Sequence, residues 1–294
     1  MRETTLAATL PRIIEMSKRT LAAFFLSFGC VVAKAGTPTT NPSFPVSVQD
    51  ARAHLKVMAA TPRRLERPLI ILGGFLDMGV GPSYYARRLR DYVRGDIIRI
   101  GFADCTDFPS CRRRVIERLD AVLGEWSGRE TVEVDVIGQS MGGLIAYYAA
   151  MNDPALGKRL KVRRLFTISS PLQGSARAAK MPAVLDVLPL IRDMRPNSDL
   201  YKRLATVPAD FELVSYTLLN DPVVGERFAA GPGRVAWWLP APSLMRAHGA
   251  AMADERIMLD IVRRLRGEKP LTVEPAASLP AGTTDEDCCP EPVD

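Results

Sequence analysis

Val132-Glu133-Val134-Asp135-Val136-Ile137-Gly138-Gln139-Ser140-Met141-Gly142-Gly143-Leu144-Ile145-Ala146-Tyr147-Tyr148-Ala149-Ala150 is the stretch on which the reading of this chain turns. Its first six residues are rich in β-branched side chains, as a buried strand requires. Its last eight, from Gly143, are apolar and read as a helix. Between them stands Gly138-Gln139-Ser140-Met141-Gly142, a G-x-S-x-G run. Strand, sharp turn and helix are the context in which that run forms a nucleophile elbow. The elbow holds its serine at a strained backbone angle with the hydroxyl above the sheet edge. Glycines at 138 and 142 are expected because a side chain there would meet the neighbouring strand or helix.

Outward from the elbow, strand-like and helix-like segments alternate. Leu69–Leu72, Asp96–Phe102, Val162–Ser169, Phe211–Leu219 and Val235–Leu239 read as strands. Tyr84–Val93, Arg112–Trp126 and Asp254–Arg266 read as helices, the second with Val115, Leu119, Val122 and Leu123 along one face. Such alternation predicts an α/β domain with a mostly parallel central sheet and helices on both faces. Sites in these sheets lie beyond the carboxyl ends of the strands. One segment, from about 172 to 208, is too long for a plain connection. Its apolar residues at helical spacing, cut by Pro182, Pro189 and Pro196, predict short helices: a cap-like insertion over the site, or ordinary core packing.

The chain has 294 residues, with 39 basic and 33 acidic side chains and a net charge of +6. Residues 1–35 read as a secretory signal peptide: a basic start at Lys18-Arg19, an uncharged apolar run from Leu21 to Val32, and small residues at Ala33 and Ala35 before a cut at Gly36. The first 15 of these are a genuine extension or follow from a start codon placed too far upstream, and the alternative for the apolar run is an N-terminal buried helix or membrane anchor. A periplasmic or secreted location follows, with 36–267 as the folded domain. Residues 268–294, rich in Pro, Ala and Thr and acidic at the end, read as a disordered tail. The basic balance is what a transient membrane-surface contact would use, the alternative being basic residues merely scattered along helix faces. No basic-aromatic stripe suggests nucleic acid, and the oligomeric state is not legible. Of the five cysteines, Cys105 and Cys111 flank a short turn and are the candidate disulfide. They lack the further ligands a metal would need. Cys30 falls in the leader, and Cys288 and Cys289 fall in the tail.

A serine needs a base to take its proton, and only two histidines are present. His54 precedes the first core strand and reads as a surface helix residue. His248 lies after the last strand, before the C-terminal helix, and is the candidate base. The candidate acid that orients it is Asp221, which closes the fifth strand and falls between serine and histidine in sequence. Asp193, Asp199 and Asp254 are worse placed. Two backbone amides should receive an oxyanion. One is Met141, directly after the serine. The other lies in Leu72-Gly73-Gly74-Phe75-Leu76, with Phe75 ahead of Leu76.

With these residues placed, the region 68–266 resembles an α/β-hydrolase of the lipase and esterase branch. Ile168-Ser169-Ser170-Pro171-Leu172-Gln173-Gly174-Ser175 is similar to the Gly-Thr-Pro-His-x-Gly-Ser loop of bacterial lipases. Met194–Leu200 resembles the Pro-x-Ser segment after it. Asn220-Asp221-Pro222-Val223-Val224 resembles the acid loop, and His248 with Met252 and Asp254 resembles the histidine loop. Gly73 and Leu172 stand where the family often has histidines. The resemblance implies a carboxylic ester hydrolase using Ser140, Asp221 and His248, with no metal or organic cofactor. Its substrates would be small-molecule or lipid esters. An acyltransferase working through the same acyl-enzyme, and a non-catalytic binding protein on the same scaffold, are the alternatives.

Overall fold

The computed structural model describes residues 40–123, 132–157, 159–207, 209–241, 247–280 and 283. The expected leader, residues 284–294 with Cys288 and Cys289, and the end of the helix expected to reach Trp126 lie outside these residues. In chain order the elements are α1 (Val48–Ala59), β1 (Arg63–Arg64), β2 (Leu69–Phe75), α2 (Val80–Leu89), β3 (Val93–Arg94), β4 (Ile97–Phe102), α3 (Phe108–Val122), β5 (Val134–Gln139), α4 (Met141–Ala150), β6 (Val162–Ile168), α5 (Ala176–Ala179), α6 (Pro189–Asp193), α7 (Asp199–Thr206), β7 (Glu212–Leu218), β8 (Trp237–Leu239), α8 (Ala247–Ala250) and α9 (Glu255–Leu265).

Six strands form one parallel sheet in the order β4-β2-β5-β6-β7-β8. The strand leading to Ser140 is therefore central, which is why Val134 to Gly138 are all buried. Strand alternation sends Leu69 and Ile71 to one face, where they join Leu89 of α2, Leu55 of α1 and the buried side of α9. Ile70 and Leu72 join the other face, under α3, α4 and α7. Burial on both faces of one sheet is the expected fold class, and the topology is that of the α/β-hydrolase fold. Among the described residues, no helix is long and apolar enough to cross a membrane.

The amino ends of the strands carry a buried ionic network. Asp135 on β5 is fully buried and takes Arg164 of β6 in a two-pronged contact at 2.9 and 2.6 Å. Arg164 also donates to the Arg264 carbonyl at the end of α9. Arg264 in turn bonds Asp260 (2.9 Å) and Glu212 (3.1 Å), and Tyr216 donates to Asp260 at 2.6 Å. Asp135 and Asp260, the buried carboxylates of this network, are thus each matched to a guanidinium, as burial of charge demands.

Several boundaries differ from expectation. The helix expected from Arg112 starts at Phe108, because Asp107 and Ser110 form a reciprocal cap and Pro109 fits its first turn. The helix expected to run to Val93 stops at Leu89. Val93 and Arg94 instead pair in parallel with Arg63 and Arg64. The tail expected to be disordered from Glu268 is ordered through residue 280. The Leu271 amide bonds the Asp260 carboxylate (2.5 Å), Val273 and Ala277 bond Ser43, and Trp238 donates to the Ala277 carbonyl. Composition averages over a window, whereas a few buried acceptors suffice to fix a chain.

In the insertion, a 3₁₀ turn at Ala183–Val187 lies between α5 and α6, and α7 follows. Leu190, Met194, Tyr201 and Leu204 belong to the same apolar cluster as α3 and α4, whereas Val184 and Val187 are exposed.

Candidate active site

Ser140 sits where β5 gives way to α4, with φ 51° and ψ −129°. Few residues other than glycine hold a positive φ, and such strain persists only where the surroundings enforce it. Here the Ser140 amide is fixed to the Ile168 carbonyl (2.9 Å). A Cβ on Gly138 would collide with Gly143, and one on Gly142 with the carbonyls of Leu72 and Gly73. The two glycines are therefore required for the close approach that the motif predicts.

The structure brings Ser140, His248 and Asp221 together. His248, on the short helix α8, has Nε2 3.1 Å from Ser140 Oγ and Nδ1 2.9 Å from Asp221 Oδ2. Asp221 lies just past β7 and is 2% exposed. Its Oδ1 accepts the amides of Val223 (2.9 Å) and Val224 (3.1 Å), which leaves Oδ2 aimed at the imidazole. Burial pushes the Asp221 carboxyl up. The positive form of His248, its hydrogen bond and the two amides outweigh this and hold the carboxyl below its ordinary value. A carboxylate facing Nδ1 selects the tautomer with the proton on Nδ1, so Nε2 presents a lone pair to the serine hydroxyl.

The other candidates lie elsewhere. His54 is exposed on α1. Asp199 is exposed beside Lys202, Asp193 pairs with Arg192, and Asp254 caps α9 and pairs with Arg256. Met141 is the first residue of α4, so its amide has no acceptor within the helix. Phe75 ends β2 after a shift in register against β4, and Leu76 follows at φ 56°. A Cβ on Gly74 would stand 3.2 Å from Ser140 Cβ, so the turn carrying Phe75 and Leu76 abuts Ser140.

Some of the supporting residues were not expected. Glu226 is buried, and its carboxylate accepts the amide of Asn220, itself at φ 61° beside Asp221. Ser175 of the lipase-like loop donates to the Val223 carbonyl at 2.6 Å, and the Ala176 and Arg177 amides bond Val224 and Val223. That loop thus grips the acid loop. The serine of Gly174-Ser175 was a visible signal, whereas nothing marked Glu226.

Cys105 and Cys111, the expected disulfide pair, are both buried and unbridged. Their thiols share a hydrogen bond. It holds Cys105 below its ordinary value and, together with burial, pushes Cys111 up. Among the described residues, no three His, Cys, Asp or Glu side chains gather as metal ligands.

No protein-family model and no curated protein matches the chain in sequence. Solved structures match it in shape. The mature lipase BlEst2 of Bacillus licheniformis is 16% identical, with a TM-score of 0.45 over 70% of this chain and 92% of that one. Against the propeptide form of that lipase the identity is 15%, the TM-score 0.48, and the coverage 73% of this chain but only 52% of that longer one. The metagenomic carboxyl esterase MGS0156 is 14% identical, at TM-score 0.47 over 71% of this chain and 76% of that one. The type II thioesterase BorB, from the borrelidin biosynthetic cluster, is 15% identical, at TM-score 0.41 over 71% and 93%.

Proposed function

We propose that this chain is a serine hydrolase that cleaves carboxylic esters of acyl lipids or short-chain acids through an acyl-enzyme. The observation that carries the reading is the unbroken hydrogen-bonded run from Ser140 through His248 to Asp221, at 3.1 and 2.9 Å, with the serine at a positive φ.

Ser140 Oγ attacks the ester carbonyl while His248 Nε2 takes its proton. Asp221 keeps the ring in position and offsets its positive charge. The amides of Met141 and Phe75 receive the oxyanion of the tetrahedral intermediate. As the intermediate collapses, the alcohol leaves with the proton from His248. Water, deprotonated by the same ring, then releases the acid. An alcohol in place of water would make the same intermediate a transferase, so products are to be analysed with and without added glycerol.

The basic start, apolar run and small residues of positions 16–35 support export to the periplasm or beyond. The net charge of +6 supports transient contact with an anionic lipid surface.

The test is labelling of the purified protein with a fluorophosphonate probe, beside Ser140→Ala and His248→Ala. Labelling of wild type alone is expected. A folded wild type that does not label would overturn the reading.

A further inference from the structure

The turn after β2 carries an acidic side chain that this mechanism does not use. Asp77 is half-buried, and its carboxylate accepts two backbone amides at the start of α2: Gly79 through Oδ1 and Gly81 through Oδ2, the latter at 3.2 Å. It does for α2 what a capping side chain would, since the cap position itself is Gly79, at φ 92°. The backbone of Asp77 is tied at both ends as well. Its amide donates to the Gly74 carbonyl (3.3 Å), and its carbonyl accepts the Phe102 amide of β4 (2.8 Å).

Three close approaches pack the turn that carries Asp77 against the β5–α4 turn that carries Ser140. A Cβ on Gly73 would stand 2.8 Å from Asp77 Cγ, and one on Gly74 would stand 3.2 Å from Ser140 Cβ. One on Gly81 would stand 2.7 Å from both Asp77 Oδ2 and Gln139 Oε1. That Gln139 oxygen is buried and finds no donor among the described residues.

The four bonds of Asp77 bracket Phe75 and Leu76. Leu76 is held at φ 56°, a conformation that a non-glycine residue keeps only when its neighbours over-determine it. Resting on the hydrolase reading above, we propose that Asp77 is the positioning residue that locks the Phe75–Leu76 turn with its amide edge toward Ser140. Anchored to the Gly79 and Gly81 amides that follow it, Asp77 acts through the Phe75–Leu76 turn that precedes it.

The experiment compares wild type, Asp77→Ala, Asp77→Asn and Ser140→Ala. It measures kcat and KM on p-nitrophenyl butyrate, and hydrogen exchange across residues 74–81. One oxyanion donor is worth about 10²–10³ in kcat, so a loosened turn should lower kcat by about 10- to 100-fold. KM should stay within about twofold, since ground-state binding is untouched. Asp77→Asn, which keeps one acceptor, should lose less. Exchange at 75–81 should rise in Asp77→Ala while β5 and α4 stay protected.

Wild-type kcat with unchanged exchange in a folded Asp77→Ala would overturn the proposal. Equal losses in KM and in global stability, with kcat kept, would reduce Asp77 to a structural residue and overturn it as well. If Asp77→Ala fails to fold, Asp77→Asn is judged by the same measurements. If wild type neither hydrolyses nor labels, exchange alone decides: looser 75–81 amides uphold the lock while the hydrolase reading falls, and unchanged amides sink the lock.

Discussion

Exchanging Asp221 for asparagine preserves the shape of the acid and reverses one hydrogen bond. The amides of Val223 and Val224, at 2.9 and 3.1 Å from Oδ1, fix which end of the side chain faces them, so the amide oxygen of the replacement stays on that side. Its NH₂ then faces His248 Nδ1 and donates. The ring must carry its own proton on Nε2, the nitrogen 3.1 Å from Ser140 Oγ, and can no longer accept the serine's proton. In a serine-protease triad the same exchange lowers kcat by about 10⁴. At about 1.36 kcal/mol per factor of ten, that is about 5.4 kcal/mol of lost transition-state stabilisation. The hydrogen-bond pattern is the same here, so we expect a fall of about 10³–10⁴ in kcat, with circular dichroism and melting close to wild type. The assay is p-nitrophenyl butyrate hydrolysis near pH 8. A rate within about tenfold of wild type, in a preparation where Ser140→Ala is dead, would refute the tautomer argument.

The same residue predicts an acid response. A carboxyl held below its unfolded value, here 3.8, contributes stability above that value and loses it as pH falls through the folded one. Wild type should therefore lose more stability than Asp221→Asn on acidification below about pH 4, by urea titration; parallel losses would contradict the assigned shift. Ser140→Gly removes the penalty of φ 51° and should gain about 1–3 kcal/mol in urea while abolishing activity, with Ser140→Ala showing no such gain. Arg164→Met strands the buried Asp135 charge and should cost about 3–5 kcal/mol, most of it regained in a double variant with Asp135→Leu. Truncation after Gly267 removes the Leu271 amide from Asp260 and should lower the melting temperature; an unchanged melt would contradict the ordered tail.

What the sequence revealed, it revealed through local rules. The elbow was legible because strand, glycines and helix are contiguous, and the histidine because only one of two stood after the last strand. Asp221 was legible from its place at a strand end. The start of α3 was readable too, since Asp107-Phe108-Pro109-Ser110 spells a capped helix start, but the flanking cysteines drew attention to a turn instead. Other features depended on tertiary contact. Two-residue strands at Arg63–Arg64 and Val93–Arg94 carry no periodicity. Asp77 and Glu226 act on backbone amides that only the folded chain brings near them. Residues 268–280 have a composition that suggests disorder, yet they meet Asp260, Ser43 and Trp238 at specific points.

The ionic network has a bearing on how this scaffold can change. Asp135, Arg164 and Glu212 lie toward the amino ends of β5, β6 and β7, and Arg264 meets this group from the last turn of α9. Ser140, Asp221 and the Phe75 turn all follow the opposite ends of their strands. Robustness and specificity therefore occupy separate poles of the sheet, linked only by its rigid interior. At the reactive pole the exposed positions of the insertion, such as Val184 and Val187, can be varied while the ionic pole keeps the domain folded, whereas Leu190, Met194, Tyr201 and Leu204 belong to the core and Ser175 holds the Asp221 loop. A library built on this scaffold should vary the exposed turn at Ala183–Val187 and hold positions 135, 164, 260 and 264 fixed.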